Sequence, residues 1–424
     1  MTRTITLTLI ALCASFTSTA WAQASIAEID TYNRPERLGG TYERRFDALP
    51  MQGSTRTVPW TDTYWPKFKG GITYRWQTDD PHTYLLHGLA RLRSMSRLEI
   101  ARLSPSEKYD IYVGNYTYPL TIREKARNHP NTPSWQGYCH GWAPASVNYP
   151  EPRPITLTNS DGIVIDFGAS DVKALLTLFQ GEVIQASRYT NSQLPYRKPV
   201  LTVGSPTNRN DPLLSEVADT NPGAFHLVLA NRLGLRRQAF LIDATTIGEI
   251  WNHPVHAFES QVLSRGTPRP GASRGAVLQL LVSSEVTYTT EIAPTWQRVT
   301  GTSRHKDVVK VYTYLLDLNA RGQILGGVWM ARRPDGSFWS LRQAYDHFRN
   351  LDADGDGLSD LSVAAARAEV WKRFDYPDCI WTQARGDFAP RFRQAASSMT
   401  FLANSATTRR ELYAYLAKLV DLLP

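Results

Sequence analysis

Cysteine is scarce in this chain. Its 424 residues hold three, Cys13, Cys139 and Cys379, too few for the disulfide framework of a small secreted scaffold. Long apolar runs are scarce too. The stretch that opens the chain falls short of the ~20 residues a membrane span requires. Basic tracts are missing: Lys and Arg outnumber Asp and Glu by 47 to 39, and the excess is scattered in small groups such as Arg91, Arg93 and Arg97. No basic tract is interleaved with exposed aromatics, which excludes nucleic acid as a partner. With 42% hydrophobic and 20% charged residues and no low-complexity segment, the chain reads as globular. It is long enough to bury a core without disulfide staples.

What is present begins with an export signal. In MTRTITLTLIALCASFTSTAWAQA, Arg3 supplies the charge, an apolar Thr-rich stretch follows, and Ala20-Trp21-Ala22 forms a small-x-small cleavage site. The pattern predicts a signal peptide over 1–22, cleaved after Ala22, and a secreted or periplasmic protein without a membrane span. Export leaves Cys139 and Cys379, which an oxidising compartment could join. The surroundings of Cys139 therefore decide between a structural and a chemical role.

The pattern along the chain predicts an α+β fold. A partly helical region covers 23–130, where LSPSEKYDIYVG places Ser104 as an N-cap before Pro105. GIVIDFG reads as a strand, followed by a helix in SDVKALLTLFQG with Ser170 as cap and Gly181 as stop. From 223 the period turns to two: GAFHLVLAN and QAFLID read as short strands, followed by VLQLLVSSEVTYTTEI, VVKVYTYLLDLN and QILGGVWM. These segments define a core over 131–345. The region 346–424 reads as helical.

Within that core, Cys139 lies in WQGYCHGWAPASVNYP. Trp142, Ala145, Ser146 and Tyr149 recur at one helical face, and Pro144 requires the helix to begin close to Cys139. A helix N-terminus lowers a thiol pKa, as a nucleophile needs. Gly137 and Gly141 keep bulk from the sulfur. A thiol nucleophile needs a base, and the base an orienting group. His226 lies within the expected strand GAFHLVLAN, and Asp243 ends the next one. A hairpin between them would complete a Cys139–His226–Asp243 triad.

A longer likeness supports this chemistry. IWNHPVHAF at 250–258 resembles the Trp-Asn-x-Pro-Val-x-x-Phe peptide of the transglutaminase elicitors, matching at Trp251, Asn252, Pro254, Val255 and Phe258 and departing at His253, His256 and Ala257. The resemblance extends over about residues 60–340, through LSPSEKYD, WQGYCHGWAPAS and NPGAFHLVLANRLGLRRQAFLIDATTIGEIWN. It implies a papain/transglutaminase-like core and protein-glutamine γ-glutamyltransferase activity. Cys139 is then the nucleophile, His226 the base and Asp243 the orienting acid, with Asn252 a rival for the third role and Gln136 a candidate oxyanion donor. The implied partners are proteins with accessible glutamine, and lysine or small primary amines. The intermediate is a thioester that must be kept from water, and Trp135, Tyr138, Trp142 and Trp251 are candidate walls.

The tail carries DADGDGLSD, with Asp352, Asp354, Asp356 and Asp360 at calcium-loop positions 1, 3, 5 and 9, the Leu358 carbonyl at position 7 and Gly357 at the sharp turn. Val363 stands where an EF-hand has its bidentate Glu. The expectation is an incomplete EF-hand or related loop with a structural calcium. Two other classes remain open on the residues: a cysteine peptidase or glutamine deamidase with the same triad, and a non-enzymatic, calcium-stabilised surface protein with a Cys139–Cys379 disulfide.

Overall fold

The computed structural model describes residues 27–186, 196–204, 220–245, 249–352, 355, 358–374, 376–387 and 408–423. The expected signal peptide lies outside them. No helix among the described residues is long and apolar enough to cross a membrane.

The architecture is α+β. The strands among the described residues are β1 (Gln52–Ser54), β2 (Ile155–Thr158), β3 (Val164–Phe167), β4 (Gln185–Ala186), β5 (Lys198–Val203), β6 (Phe240–Asp243), β7 (Asn252–Gly266), β8 (Leu278–Thr289), β9 (Asp307–Leu318), β10 (Ile324–Arg332), β11 (Phe338–Ser340) and β12 (Cys379–Gln383). The main sheet runs β11-β10-β9-β8-β7-β6-β12-β5-β4, with β1 against β7. Its pairs are antiparallel except β4 with β5. The alternating segments from 278 onward form β8, β9 and β10 as their period requires; β8 and β9 pair from Leu278 opposite Leu318 to Thr289 opposite Asp307.

The two faces of the sheet bury two cores. Leu241, Cys379 and Trp381 pack with Cys139, Trp142 and Leu175. Their strand neighbours Phe240, Ile242 and Ile380 pack on the opposite side, with Phe225, Tyr314 and Trp329. Burying each large apolar side chain contributes about 1.5–3 kcal/mol.

Three local expectations differ from the structure. GAFHLVLAN forms a helix, Pro222–Val228, running on into a π-helical turn over Leu229–Leu235. Asn221 caps it by accepting from the Gly223 and Ala224 N–H groups, and Pro222 stands at its first position. All seven residues are buried, so the segment is apolar on every side and its period says little. The helix after β3 spans Ala169–Leu178 and has Gly168, not Ser170, at its cap; it continues as a π-helical turn, Phe179–Ile184, through Gly181. The tail is not wholly helical, because β12 enters the sheet between β6 and β5.

Buried ion pairs fasten the helix Ala169–Leu178, on which the Cys139 helix rests. Lys108 meets Asp171 at 2.6 Å with both side chains inaccessible, and Lys173 meets Glu151 at 2.7 Å. Lys173 also donates to the Thr61 carbonyl, while Ser170 donates to Asp62. These contacts hold the segment 59–65 against the helix. Removing one partner of such a pair leaves a buried charge and costs about 3–5 kcal/mol.

Candidate active site

The helix that carries Cys139 runs from Cys139 to Asn148. The Gly141 and Trp142 N–H groups both donate to the Tyr138 carbonyl, which fixes its first turn. Trp142, Ala145, Ser146 and Tyr149 are all buried, as the helical face predicts. Pro144 lies inside the helix and removes the helical donor to the His140 carbonyl. The flanking glycines do not serve to clear the sulfur. A Cβ on Gly141 would stand 2.2 Å from the Thr177 carbonyl oxygen, and one on Gly137 would stand 2.5 Å from the Tyr64 ring. They allow the helix and its approach to press against neighbouring backbone and the Tyr64 ring.

Cys139 is buried, and its Sγ has two close partners. The thiol donates to the Ile250 carbonyl at 3.5 Å, and the Asn252 Nδ2 amide donates to the sulfur at 3.4 Å. Asn252 opens β7, opposite Asp243 of β6. Its Oδ1 accepts from the Trp381 indole Nε1 at 2.8 Å. Burial pushes the Cys139 thiol up. The Asn252 side chain and backbone oppose that shift, while the charges of Glu291 and Asp243 add to it. A cavity of about 290 Å³ reaches the sulfur, lined by Lys67, Trp135, Gln136, Gly137, His140, Ile250 and Asn252. A larger one, about 390 Å³, lies near Arg269 and Gln343 and shares no residue with it.

The imidazole in this cavity is His140. Its Nε2 lies 3.5 Å from Glu182 Oε1, and Arg127 holds the other carboxylate oxygen at 2.7 Å. Burial works to raise the Glu182 carboxyl, but His140 and Arg127 outweigh it and keep the group below the usual carboxylate range. Glu182 lies in the π-helical turn Phe179–Ile184, a feature that often marks functional positions.

His226 is not brought to Cys139. It lies in the helix Pro222–Val228, on the other side of the sheet, where its Nδ1 meets the Tyr314 hydroxyl at 2.8 Å and its ring stacks on Phe46. Its Nε2 is buried without a hydrogen-bond partner, and burial lowers its pKa to about 4. The strand expected there is a helix on the opposite face, so the hairpin that would join His226 to Asp243 does not exist. Asp243 does lie near the thiol, but its Oδ1 accepts from the Trp251 N–H and from Thr245. Burial raises its pKa to about 6 against the pull of these hydrogen bonds.

The aromatic walls divide. Trp135 lines the cavity. Trp251 stands edge-on to Tyr64, ring centres 5.1 Å apart, and its Nε1 donates to Glu249. Tyr138 and Trp142 are fully buried in the core; Tyr138 donates to Glu124, away from the cavity. Gln136 lines the cavity, and its carbonyl accepts from the Lys67 N–H. Cys139 and Cys379 are not bridged to each other. Tyr64, Glu182 and Trp381 were not foreseen, since they lie far from the Cys139 motif in sequence. His140, the residue after the thiol, carried a signal in its position alone.

In the tail, the Gly355 N–H donates to Asp352 Oδ1 at 2.8 Å, and Gly355 has φ 80°. Asp354, Asp356 and Gly357 lie outside the described residues. Val363 begins the helix Val363–Trp371, with Ser362 as its cap. Among the described residues no three His, Cys, Asp or Glu side chains converge as a metal site.

A buried helix-start cysteine facing the end of a strand in a mixed sheet is an arrangement suited to thiol-based acyl transfer. Comparison with known proteins narrows it. The profile of the family described as "Transglutaminase elicitor" matches residues 118–338, and the chain belongs to that family. A solved structure, the GP42 transglutaminase from Phytophthora sojae, is similar in fold, with a TM-score of 0.55 and 19% identity over 85% of this chain and 92% of that one. No curated protein matched.

Proposed function

We propose that the protein is an exported protein-glutamine γ-glutamyltransferase. The observation that supports this most is Cys139 at a helix start, with an amide donor on its sulfur, lining a cavity together with His140, whose imidazole meets Glu182 outside that lining. In this reading His140 takes the Cys139 proton, and the thiolate attacks the side-chain carbonyl carbon of a glutamine. The C–N bond breaks, His140 returns the proton to the leaving nitrogen, and ammonia departs from a γ-glutamyl thioester. A primary amine, ideally a lysine ε-amine, then attacks that carbonyl. The C–S bond breaks, and the amine's surplus proton restores the thiol through His140. Asn252 supplies a donor beside the sulfur, suited to thiolate and to developing negative charge. Trp135, which lines the cavity, would limit water there.

We further infer that a structural calcium binds the loop 352–360. The Gly355 N–H on Asp352 Oδ1 supports this reading, and Asp352, Asp354, Asp356, Asp360 and the Leu358 carbonyl are, by sequence, the oxygen donors a hard cation takes. Bound there, it would offset carboxylate repulsion and fix the helix Val363–Trp371.

The test is incubation of the mature protein with a glutamine-bearing protein and a labelled primary amine. Stable incorporation supports the transferase. Ammonia release without incorporation identifies a deamidase, and new peptide termini a peptidase.

A further inference from the structure

Asn252 acts on Cys139 according to which end of its amide faces the sulfur. The amide group is nearly symmetric in shape, and its two ends have opposite chemistry: NH2 donates, and the carbonyl oxygen accepts. Placement alone does not distinguish them; the partners do. Here the partner is decisive. An indole Nε1–H is a donor and never an acceptor, and that of Trp381 stands 2.8 Å from the Asn252 amide, with both side chains buried. The atom facing the indole must be Oδ1. The NH2 is thereby turned to Cys139 Sγ, at 3.4 Å.

The reverse orientation would set two donors against each other at the indole. It would also present a carbonyl oxygen to the sulfur, joining the Ile250 carbonyl that already accepts from the thiol. Two acceptors would favour S–H over the thiolate. We propose that Trp381 is a positioning residue for Cys139: its indole N–H locks the Asn252 amide in the one orientation that favours the thiolate. This rests on Cys139 being the nucleophile, and adds to it a residue from the C-terminal region, beyond the family match at 118–338.

The fold explains the reach. Trp381 of β12 is paired with Leu241 of β6, while Asn252 of β7 is paired with Asp243 of the same strand. The indole crosses β6 diagonally, on the face that packs against the Cys139 helix. The two strands lie two spacings apart, roughly 9–10 Å, and the gap is closed from both sides by the Trp381 and Asn252 side chains and the hydrogen bond between them.

The test uses the full mature chain and reads the rate of iodoacetamide alkylation at Cys139 against pH, by mass spectrometry of the peptide that contains it. The thiolate is the reacting form, so the midpoint of the rate–pH curve follows its stability without any acyl substrate. Trp381→Phe is expected to move the midpoint upward, with about tenfold slower alkylation at neutral pH for each pH unit moved. Asn252→Ala should move it at least as far, and the double variant no further than Asn252→Ala alone. Should Trp381→Phe fail to fold, benzothienylalanine at 381 removes the N–H while keeping the ring's shape, and the same shift is expected. An unmoved midpoint in either 381 variant, additive shifts in the double variant, an unmoved midpoint in Asn252→Ala, or no reaction at Cys139 at any pH overturns the proposal. A shifted midpoint in a protein that incorporates no amine would refute the transferase reading and leave the role of Trp381 standing.

Discussion

Cys139 was legible at the scale of the single residue because the apolar face at 142, 145, 146 and 149 marks its helix, although Pro144 lies inside that helix and not in the first turn as its chemistry suggested. Cys139→Ala should abolish amine incorporation while preserving the melting temperature, and Cys379→Ala should keep activity; both are read by labelled-amine incorporation beside a thermal scan. His226 was not legible. A buried histidine amid apolar neighbours looks alike on a strand and on a helix. His140→Ala should therefore lower incorporation at least a hundredfold, as loss of an acid–base group does, whereas His226→Gln should leave it within a few-fold. His226 instead sets acid stability. Its pKa is about 4 when folded against roughly 6.5 unfolded. The unfolded chain takes up the proton first, so stability falls as pH drops through that window, by about 3 kcal/mol in all. Chemical denaturation between pH 7 and pH 4 should show the wild type losing stability relative to His226→Gln by about that amount. Asp243 runs the other way. Its pKa, raised to about 6 by burial, makes its charge a cost above that pH, and that charge also opposes the thiolate. Asp243→Asn should stabilise the protein at pH 8 and shift Cys139 alkylation to lower pH; loss of thiol reactivity would restore Asp243 as a supporting acid.

Among the elements, the antiparallel strands β8, β9 and β10 could be read directly, since alternation over nine or more residues has few rivals. The helix Pro222–Val228 could not, because burial on all sides erases its period. Nor could β12, whose five residues, CIWTQ, carry too little pattern to stand out from the helical segments around them. The acidic loop was legible as composition, and its function is a matter of thermodynamics. A ligand bound by the folded state alone stabilises it by about 2.7 kcal/mol at a hundredfold excess over Kd. Millimolar calcium should raise the melting temperature, and Asp352→Ala should remove the rise. A melting temperature indifferent to calcium and chelator, with no metal by elemental analysis, would reduce the loop to an acidic turn.

For the molecule as a whole, the region matched by the family profile ends at 338, yet the sheet does not close there. β12 lies between β6 and β5, so a chain cut after residue 345 loses an interior strand, not an appendage. It should show no cooperative unfolding transition by circular dichroism; a folded, active fragment would mean that β12 is dispensable. The same placement has a consequence in time. The ribosome delivers Cys139 early and Trp381 late, on β12, the interior strand that is last of the sheet to arrive. Until it does, the thiol is already made but its amide partner has nothing to hold it. On the transferase reading proposed above, a nascent chain meets the proteins of its own cell with a sulfur that is present and unprimed, and any readiness to cross-link comes only with the finished fold.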